Sequence, residues 1–316
     1  MKTLSPPEDP LLIAVAGPTA SGKSALAVEA ALRLDGEIIN CDSLQLYREL
    51  QIGTGQPSAR ETEAVPHHLY DFLNPDQFYS AGRYMVEARR VCRQVRDRGK
   101  TPFVVGGTGL YLRALLAGVF EGPSRCDAVR DRLEKMVQRR GQERLHRLLA
   151  RKDPATARKI GAGDRRRLIR ALEVYFLTGT PISRLQEQRI PLAGYRILKI
   201  GLNLPRPLLY QRIDSRAREM FRSGLLDEVD RLLRKGYDER CKAFEALGYR
   251  YALQTLRGEL SMEDAIELTS RDTRRYAKRQ MTWFRREDGM QWIPSPGESE
   301  PALKQLLELV RCSTSR

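Results

Sequence analysis

The chain predicts an α/β fold: a parallel sheet flanked by helices, with an all-helical insertion domain. Three observations carry this. Short buried runs, Leu11–Ala16 (LLIAVA), Glu37–Asn40 (EIIN) and Pro102–Val105 (PFVV), alternate with helical patterns at 24–34 and 80–98, as parallel strands joined by crossover helices do. Each run is followed by small or polar residues, Gly17–Ser24, Asp42-Ser43 and Gly106–Thr108. Ligands in such sheets sit beyond the C-terminal strand ends, so these segments are predicted to meet in one crevice. From Ser124 to about Ala193 the apolar spacing is helical and charge is dense, and a strand pattern returns only at Tyr195–Leu202 (YRILKIGL). The predicted division is a core of residues 1–123 and 194–316 around an insertion at 124–193.

The first strand leads into Gly17-Pro18-Thr19-Ala20-Ser21-Gly22-Lys23-Ser24, a full match to the phosphate-binding loop G-x-x-x-x-G-K-[ST] in its strand–loop–helix setting. The glycines let backbone N–H groups wrap an anion at a helix N-terminus, Lys23 adds a mobile positive charge, and Ser24 is placed to ligate magnesium. The sheet is therefore of the P-loop NTPase-like kind, and the chain is expected to handle a di- or triphosphate. Inside the insertion, Asp164 is a natural N-cap for a helix at Arg165–Leu177, with Gly179 and Pro181 marking its end. Beyond Leu208 the pattern is helical to about Arg286, followed by a short apolar piece at Met290–Pro294 and a last helix over 298–316.

The 316 residues suffice for one large or two modest domains. Lys and Arg total 55 against 40 Asp and Glu, a formal charge of +15. That surplus suits a polyanionic partner such as nucleic acid, or a generally basic protein, and charge alone does not separate the two. The five cysteines, Cys41, Cys92, Cys126, Cys241 and Cys312, are scattered without a C-x-x-C pair, so neither a disulfide framework nor a zinc site is suggested. No apolar run reaches the length of a membrane span and the start lacks a signal-peptide core. A reduced, cytoplasmic enzyme without a membrane partner is the expectation.

Asp42, at the end of the second strand, suits a general base or an indirect magnesium ligand, or else a helix N-cap before Leu44. The hydroxyls of Thr19 and Thr108 belong to the same crevice or to simple turns. At Arg271–Arg286 (RDTRRYAKRQMTWFRR), Arg271, Arg274, Arg275 and Lys278 share one helical face, with Tyr276, Trp283 and Phe284 interleaved and only Asp272 opposing the charge. This reads as a phosphate-contacting stripe with stacking groups, against the alternative of a solvated face. Arg165, Arg166, Arg167 and Arg170 form a second basic helix, and two such helices could clamp one polyanion. His67 and His68 lack companions at metal spacing and are expected to pack or hydrogen-bond.

Together GPTASGKS, DSLQLY, QIGTGQP, VPHHLYD, GGTGLYLRALL, DRRRLIRALEVYFLTGTP, EALGYR and KRQMTWFR resemble the bacterial tRNA dimethylallyltransferase (tRNA isopentenyltransferase) family, in order from about Leu11 to Ile293. The resemblance implies transfer of a dimethylallyl group from dimethylallyl diphosphate to N6 of adenosine 37 in certain tRNAs, with Mg²⁺ assisting and the chain acting as a monomer. It implies catalytic roles for Asp42 as base, Lys23 and Thr19 at the diphosphate, and Arg216, which by itself reads as a surface helix residue. It assigns tRNA contacts to Asp42, Ser43, Leu44, Gln45 and Thr108. Further contacts fall on Arg130, Arg166, Arg167 and Arg170 in the insertion, which in the family embraces the anticodon stem. The last group is Lys278, Arg279, Gln280, Trp283 and Arg285.

Two positions depart from the family: Gln56 stands where lysine is common, and Tyr251 where an acidic residue is common. The chain lacks the zinc-finger extension of eukaryotic relatives and so matches the bacterial form better. A prenyltransferase acting on free adenine nucleotides, a P-loop small-molecule kinase and an RNA-binding regulator are the alternatives. The basic helices and the KRQMTWFR segment disfavour the first two, and intact Lys23, Ser24 and Asp42 disfavour the third.

Overall fold

The computed structural model describes residues 9–120 and 122–314. Six strands, β1 (Leu11–Ala16), β2 (Gly36–Asn40), β3 (His67–His68), β4 (Thr101–Gly106), β5 (Arg196–Leu202) and β6 (Met290–Ile293), form one sheet in the order β3-β2-β4-β1-β5-β6. Every pairing is parallel, with Ile13 opposite Phe103 on one side and Leu198 on the other. β1 and β4 read as unbroken apolar runs because central parallel strands are covered on both faces. Leu12–Ala14 and Phe103 are wholly buried.

Helix α1 (Lys23–Arg33) buries Leu26, Ala27, Ala30 and Ala31 in the core that Ala302, Leu306 and Val310 of the C-terminal helix complete. The six residues at 59–64, too few to leave a periodic signal, form α2 (Ala59–Ala64), started by a capping box between Ser58 and Glu61. Helix α3 (Ala81–Asp97) begins at Ser80, whose hydroxyl accepts the N–H of Arg83, and lays Tyr84, Ala88, Val91, Cys92 and Val95 on the sheet. Helix α4 (Gly109–Ala117) follows the glycine-rich end of β4. The spans expected from periodicity thus hold to within a residue or two. The two-residue strand β3 is too short to leave a periodic signal. His67 and His68 do pack and hydrogen-bond: His67 to the Val65 carbonyl at 2.7 Å, His68 to Glu37 at 2.6 Å.

The described chain divides into two compact units, Leu116–Leu192 and the remainder. The helical unit starts ahead of the predicted residue 124, because the N–H of Leu192 bonds the carbonyl of Leu116 at 2.8 Å and closes its neck there. A contact between its two ends leaves no mark in local periodicity. It contains α5 (Asp127–Arg140), α6 (Gln142–Lys152), α7 (Pro154–Lys159), α8 (Arg165–Thr178) and α9 (Ile182–Glu187) around Leu133, Leu145, Leu149, Leu168 and Leu172. Asp164 caps α8 as predicted, accepting the N–H of Arg167.

In the sheet-bearing unit, β5 is followed by α10 (Arg206–Arg222), α11 (Leu225–Arg234), a 3₁₀ turn (Lys242–Glu245), α12 (Tyr249–Leu256) and α13 (Met262–Phe284). After β6 the chain ends in α14 (Glu300–Thr314). Helices α10 and α13 pack on one another. No described helix is long and apolar enough to cross a membrane.

Candidate active site

The phosphate-binding loop is held from three directions by residues far away in sequence. Gln280 of α13 accepts the Thr19 N–H at 2.9 Å and donates to the Gly107 carbonyl at 2.9 Å, tying the loop after β1 to the loop after β4. Arg212 of α10 donates to the Ala20 carbonyl at 2.7 Å and pairs with Glu298. The Gly297 N–H meets the Ser21 carbonyl at 3.0 Å. Within the loop, the Pro18 carbonyl accepts the Ser21 hydroxyl at 2.8 Å and the Lys23 ammonium at 2.7 Å. Burial pushes Lys23 down to about 8, against the pull of Asp42 and with help from Arg216. A multiply charged anion would relieve that penalty.

Asp42 follows β2, and its position is set by the fully buried Asn40. The Asn40 side chain accepts the Asp42 N–H at 2.7 Å and donates to the carbonyls of Asp42 and Leu69. No helix starts at Leu44, so the N-cap alternative fails: Asp42 Oδ1 accepts the Leu44 N–H at 3.0 Å in a tight turn. Oδ2 has no hydrogen-bond partner among the described residues. Asp42, Thr19, Lys23, Ser24 and Arg216 line one cavity of about 1010 Å³, closed on other sides by Ile52, Met220, Leu247 and Tyr276. Burial lowers Arg216, opposed by Asp42. Two cations, one carboxylate and two hydroxyls thus converge, the arrangement that a diphosphate ester and a proton acceptor require. The carboxylate and the exposed Ser24 hydroxyl are hard oxygen donors suited to magnesium, whereas no group of three His, Cys, Asp or Glu among the described residues could hold an ion alone.

Several residues expected to meet RNA are committed to the protein itself. Gln280 is buried, with both polar ends engaged as above. Gln45 donates to the Gly55 carbonyl at 2.6 Å. Arg130 and Arg170 both grip the buried Glu173, at 2.8 and 2.7 Å, and Arg170 also donates to the Pro123 carbonyl. Burial raises Glu173, but Arg130, the Cys126 N–H and Arg170 outweigh it and hold the carboxyl down to about 2. The basic stripe on α13 is opposed by more than Asp272: Arg274 pairs with Asp214 of α10, at 2.9 Å from Nε, while Asp272 takes Arg271 and Arg275 at 3.2 and 3.3 Å. Asp272 also accepts the Tyr251 phenol at 2.6 Å, so the tyrosine at that unusual position is part of this cluster. The pairs Arg274–Asp214, Tyr251–Asp272 and Arg130–Glu173 join separate segments, which spacing on one helix cannot reveal.

Other assigned residues keep their charge outward. Lys278, Arg279, Arg285 and Arg166 are exposed and, among the described residues, have no ion-pair partner; Arg167 pairs with Asp164 at 3.3 Å. Trp283 lies under the Arg113 guanidinium, 4.4 Å from its ring centre, with its indole N–H buried and unpaired. The Thr108 hydroxyl accepts the Ser43 N–H at 3.0 Å, joining the loops after β4 and β2, and Leu44 lines the cavity.

A phosphate-binding loop at the end of the central parallel strand β1, with a carboxylate from the end of β2, one strand beyond β4, defines a protein of the P-loop α/β class. The IPP transferase family model matches residues 45–287 and the isopentenyl transferase model residues 10–70. The chain is 47% identical to the tRNA dimethylallyltransferase of Koribacter versatilis (strain Ellin345) over 306 residues, 96% of this chain and 99% of that one. It is 49% identical to that of Solibacter usitatus (strain Ellin6076), over 91% and 94%. Among solved structures it is similar to the full-length tRNA isopentenylpyrophosphate transferase of Bacillus halodurans, with TM-score 0.71, 36% identity and coverage of 96% and 97%. A eukaryotic dimethylallyltransferase acting on tRNA superposes with TM-score 0.80 at 26% identity, covering 97% of this chain and 80% of that one. The chain belongs to the IPP transferase family.

Proposed function

We propose that this chain transfers a dimethylallyl group from dimethylallyl diphosphate to N6 of adenosine 37 in tRNA, releasing diphosphate. The observation that carries the reading is the convergence of Lys23, Arg216, Thr19 and Asp42 on one cavity in a member of this family. Breaking the allylic carbon–oxygen bond puts charge on the leaving diphosphate. The loop N–H groups, Lys23 and Arg216 stabilise that charge, and the Thr19 hydroxyl donates to it. The adenine N6 attacks the allylic carbon and its proton passes to Asp42 Oδ2, the carboxylate oxygen left open. Ser24, with Asp42 acting indirectly, would hold magnesium, which would supply further charge neutralisation at the diphosphate.

Adenosine 37 is stacked beside the anticodon, so it is turned out of the loop into the cavity. The outward Lys278 and Arg279 of α13, and Arg285 just after it, contact phosphates there, and Arg166 and Arg167 of the helical unit contact the anticodon stem. Gln280 and Gln45 serve by holding the loops that carry Thr19, Asp42 and Gly55. Work as a monomer in the cytoplasm fits this reading.

The test is a transfer assay with magnesium and labelled dimethylallyl diphosphate, offering unmodified tRNA, the same tRNA with base 37 changed, or free AMP. Label entering only the first acceptor is expected. Label on AMP alone would make this a free-nucleotide prenyltransferase, and no transfer to any acceptor would overturn the proposal.

A further inference from the structure

Two segments of the sequence, QIGTGQP and EALGYR, meet at a buried carboxylate. Glu228 of α11 is 1% exposed. Its Oε2 accepts the backbone N–H groups of Gln51 and Ile52 at 3.0 and 2.9 Å, and its Oε1 accepts that of Gly53 at 3.3 Å and the phenol of Tyr249. No lysine or arginine among the described residues forms an ion pair with it. The charge is therefore balanced by three amide dipoles and one phenol, an arrangement that fixes the loop wherever the carboxylate stands. Tyr249 closes the clamp from the other side: a Cβ on Gly53 would stand 2.0 Å from its ring.

With its amides turned onto Glu228, the loop offers its next carbonyls to the cavity. Thr54 O lies 3.4 Å from an Arg216 guanidinium nitrogen, and Gly55 O accepts from Gln45. Gly55 is left-handed, at φ +61°, and a Cβ there would stand 2.1 Å from the same guanidinium. The loop is thus the surface on which Arg216 rests.

We propose that Glu228, locked by Tyr249, is a positioning residue for the diphosphate: it fixes the 51–55 loop, and the loop aims Arg216 into the cavity. This rests on the reading that Arg216 meets the leaving diphosphate. Neither Glu228 nor Tyr249 touches substrate, and both act through Arg216.

The probe is inorganic pyrophosphate, whose affinity is measured by calorimetry for wild type, Tyr249→Phe, Arg216→Ala and the double variant. Tyr249→Phe keeps the ring and removes one hydrogen bond to the carboxylate. It is expected to weaken pyrophosphate about tenfold when Arg216 is present, and less than about twofold when Arg216 is already alanine. In the transfer assay the same variant raises KM for the diphosphate donor and leaves KM for tRNA unchanged. Glu228→Gln, which turns an amide donor toward N–H groups, exceeds the Tyr249→Phe effect; should it fail to fold, Tyr249→Phe carries the test. Equal losses in both backgrounds, no loss in either, or an equal rise in both KM values would show a merely structural role and overturn the proposal. Coupling without any transfer to tRNA would defeat the proposed function and leave this inference standing. Transfer without coupling would do the reverse, and a wild-type chain that does not bind pyrophosphate would overturn both.

Discussion

Lys23 shows how a single residue carries both stability and binding. Its pKa of about 8 in the folded chain lies below the ordinary 10.5, so between those values the folded state holds fewer protons than the unfolded one. The stability penalty is full at neutral pH and is relieved as pH rises through that window. Lys23→Met is therefore expected to gain ~1 kcal/mol of stability at pH 7 while losing diphosphate affinity, as thermal unfolding and calorimetry would read. A diphosphate beside the side chain pulls its pKa back up. At about pH 8.5, wild type takes up more protons than Lys23→Met on binding pyrophosphate, seen as a buffer-dependent heat. Equal heats in the two proteins would remove Lys23 from contact with the anion.

Helix α13 is where pattern and structure part most instructively. Its basic face was legible because arginines and lysines recur at helical spacing. Its division of labour was not, because that depends on partners on other elements: Asp214, 60 residues away, takes Arg274, and the bond from the Thr19 N–H to Gln280 spans 261. Exchanging Lys278, Arg279 and Arg285 for glutamine is expected to weaken tRNA binding and reduce the salt slope of log K by about two to three, leaving thermal unfolding unchanged. Arg274→Ala is expected to lower the melting temperature with the salt slope intact. The opposite split, read from filter binding at several salt concentrations, would return the outward cations to a solvated face. The phosphate-binding loop needed no such partners to be recognised, since its backbone geometry is written in eight contiguous residues. Asn40, Arg212 and Glu228, which hold the site in place, carry no local signature at all.

At the scale of the whole molecule, the alternation of buried runs and helical patterns fixed the parallel sheet and the helical insertion, whereas the neck at Leu116 and Leu192 depends on a contact between distant residues. The helical unit is organised around Glu173, which holds Arg130, Arg170 and the Cys126 N–H while wholly buried. Glu173→Ala leaves two arginines unpaired and is expected to cost about 3–5 kcal/mol, read by thermal unfolding. Because the folded carboxyl is held at about 2, below its ordinary 4.5, its contribution is present above 4.5 and is lost as pH falls from there toward 2. An acid titration of wild type against the variant would show the two converging in that interval, and parallel curves would contradict it.

The central claim is that Asp42 accepts the proton from adenosine 37 while the loop cations hold the departing diphosphate. The measurement that reaches it most directly is single-turnover transfer at saturating tRNA, comparing wild type with Asp42→Asn and mapping the labelled nucleoside. The account predicts dimethylallyl on N6 of adenosine 37, a rate for the variant lower by roughly 10²–10⁴, and unchanged tRNA affinity. A variant that transfers at the wild-type rate, or label on another atom or another base, would contradict it.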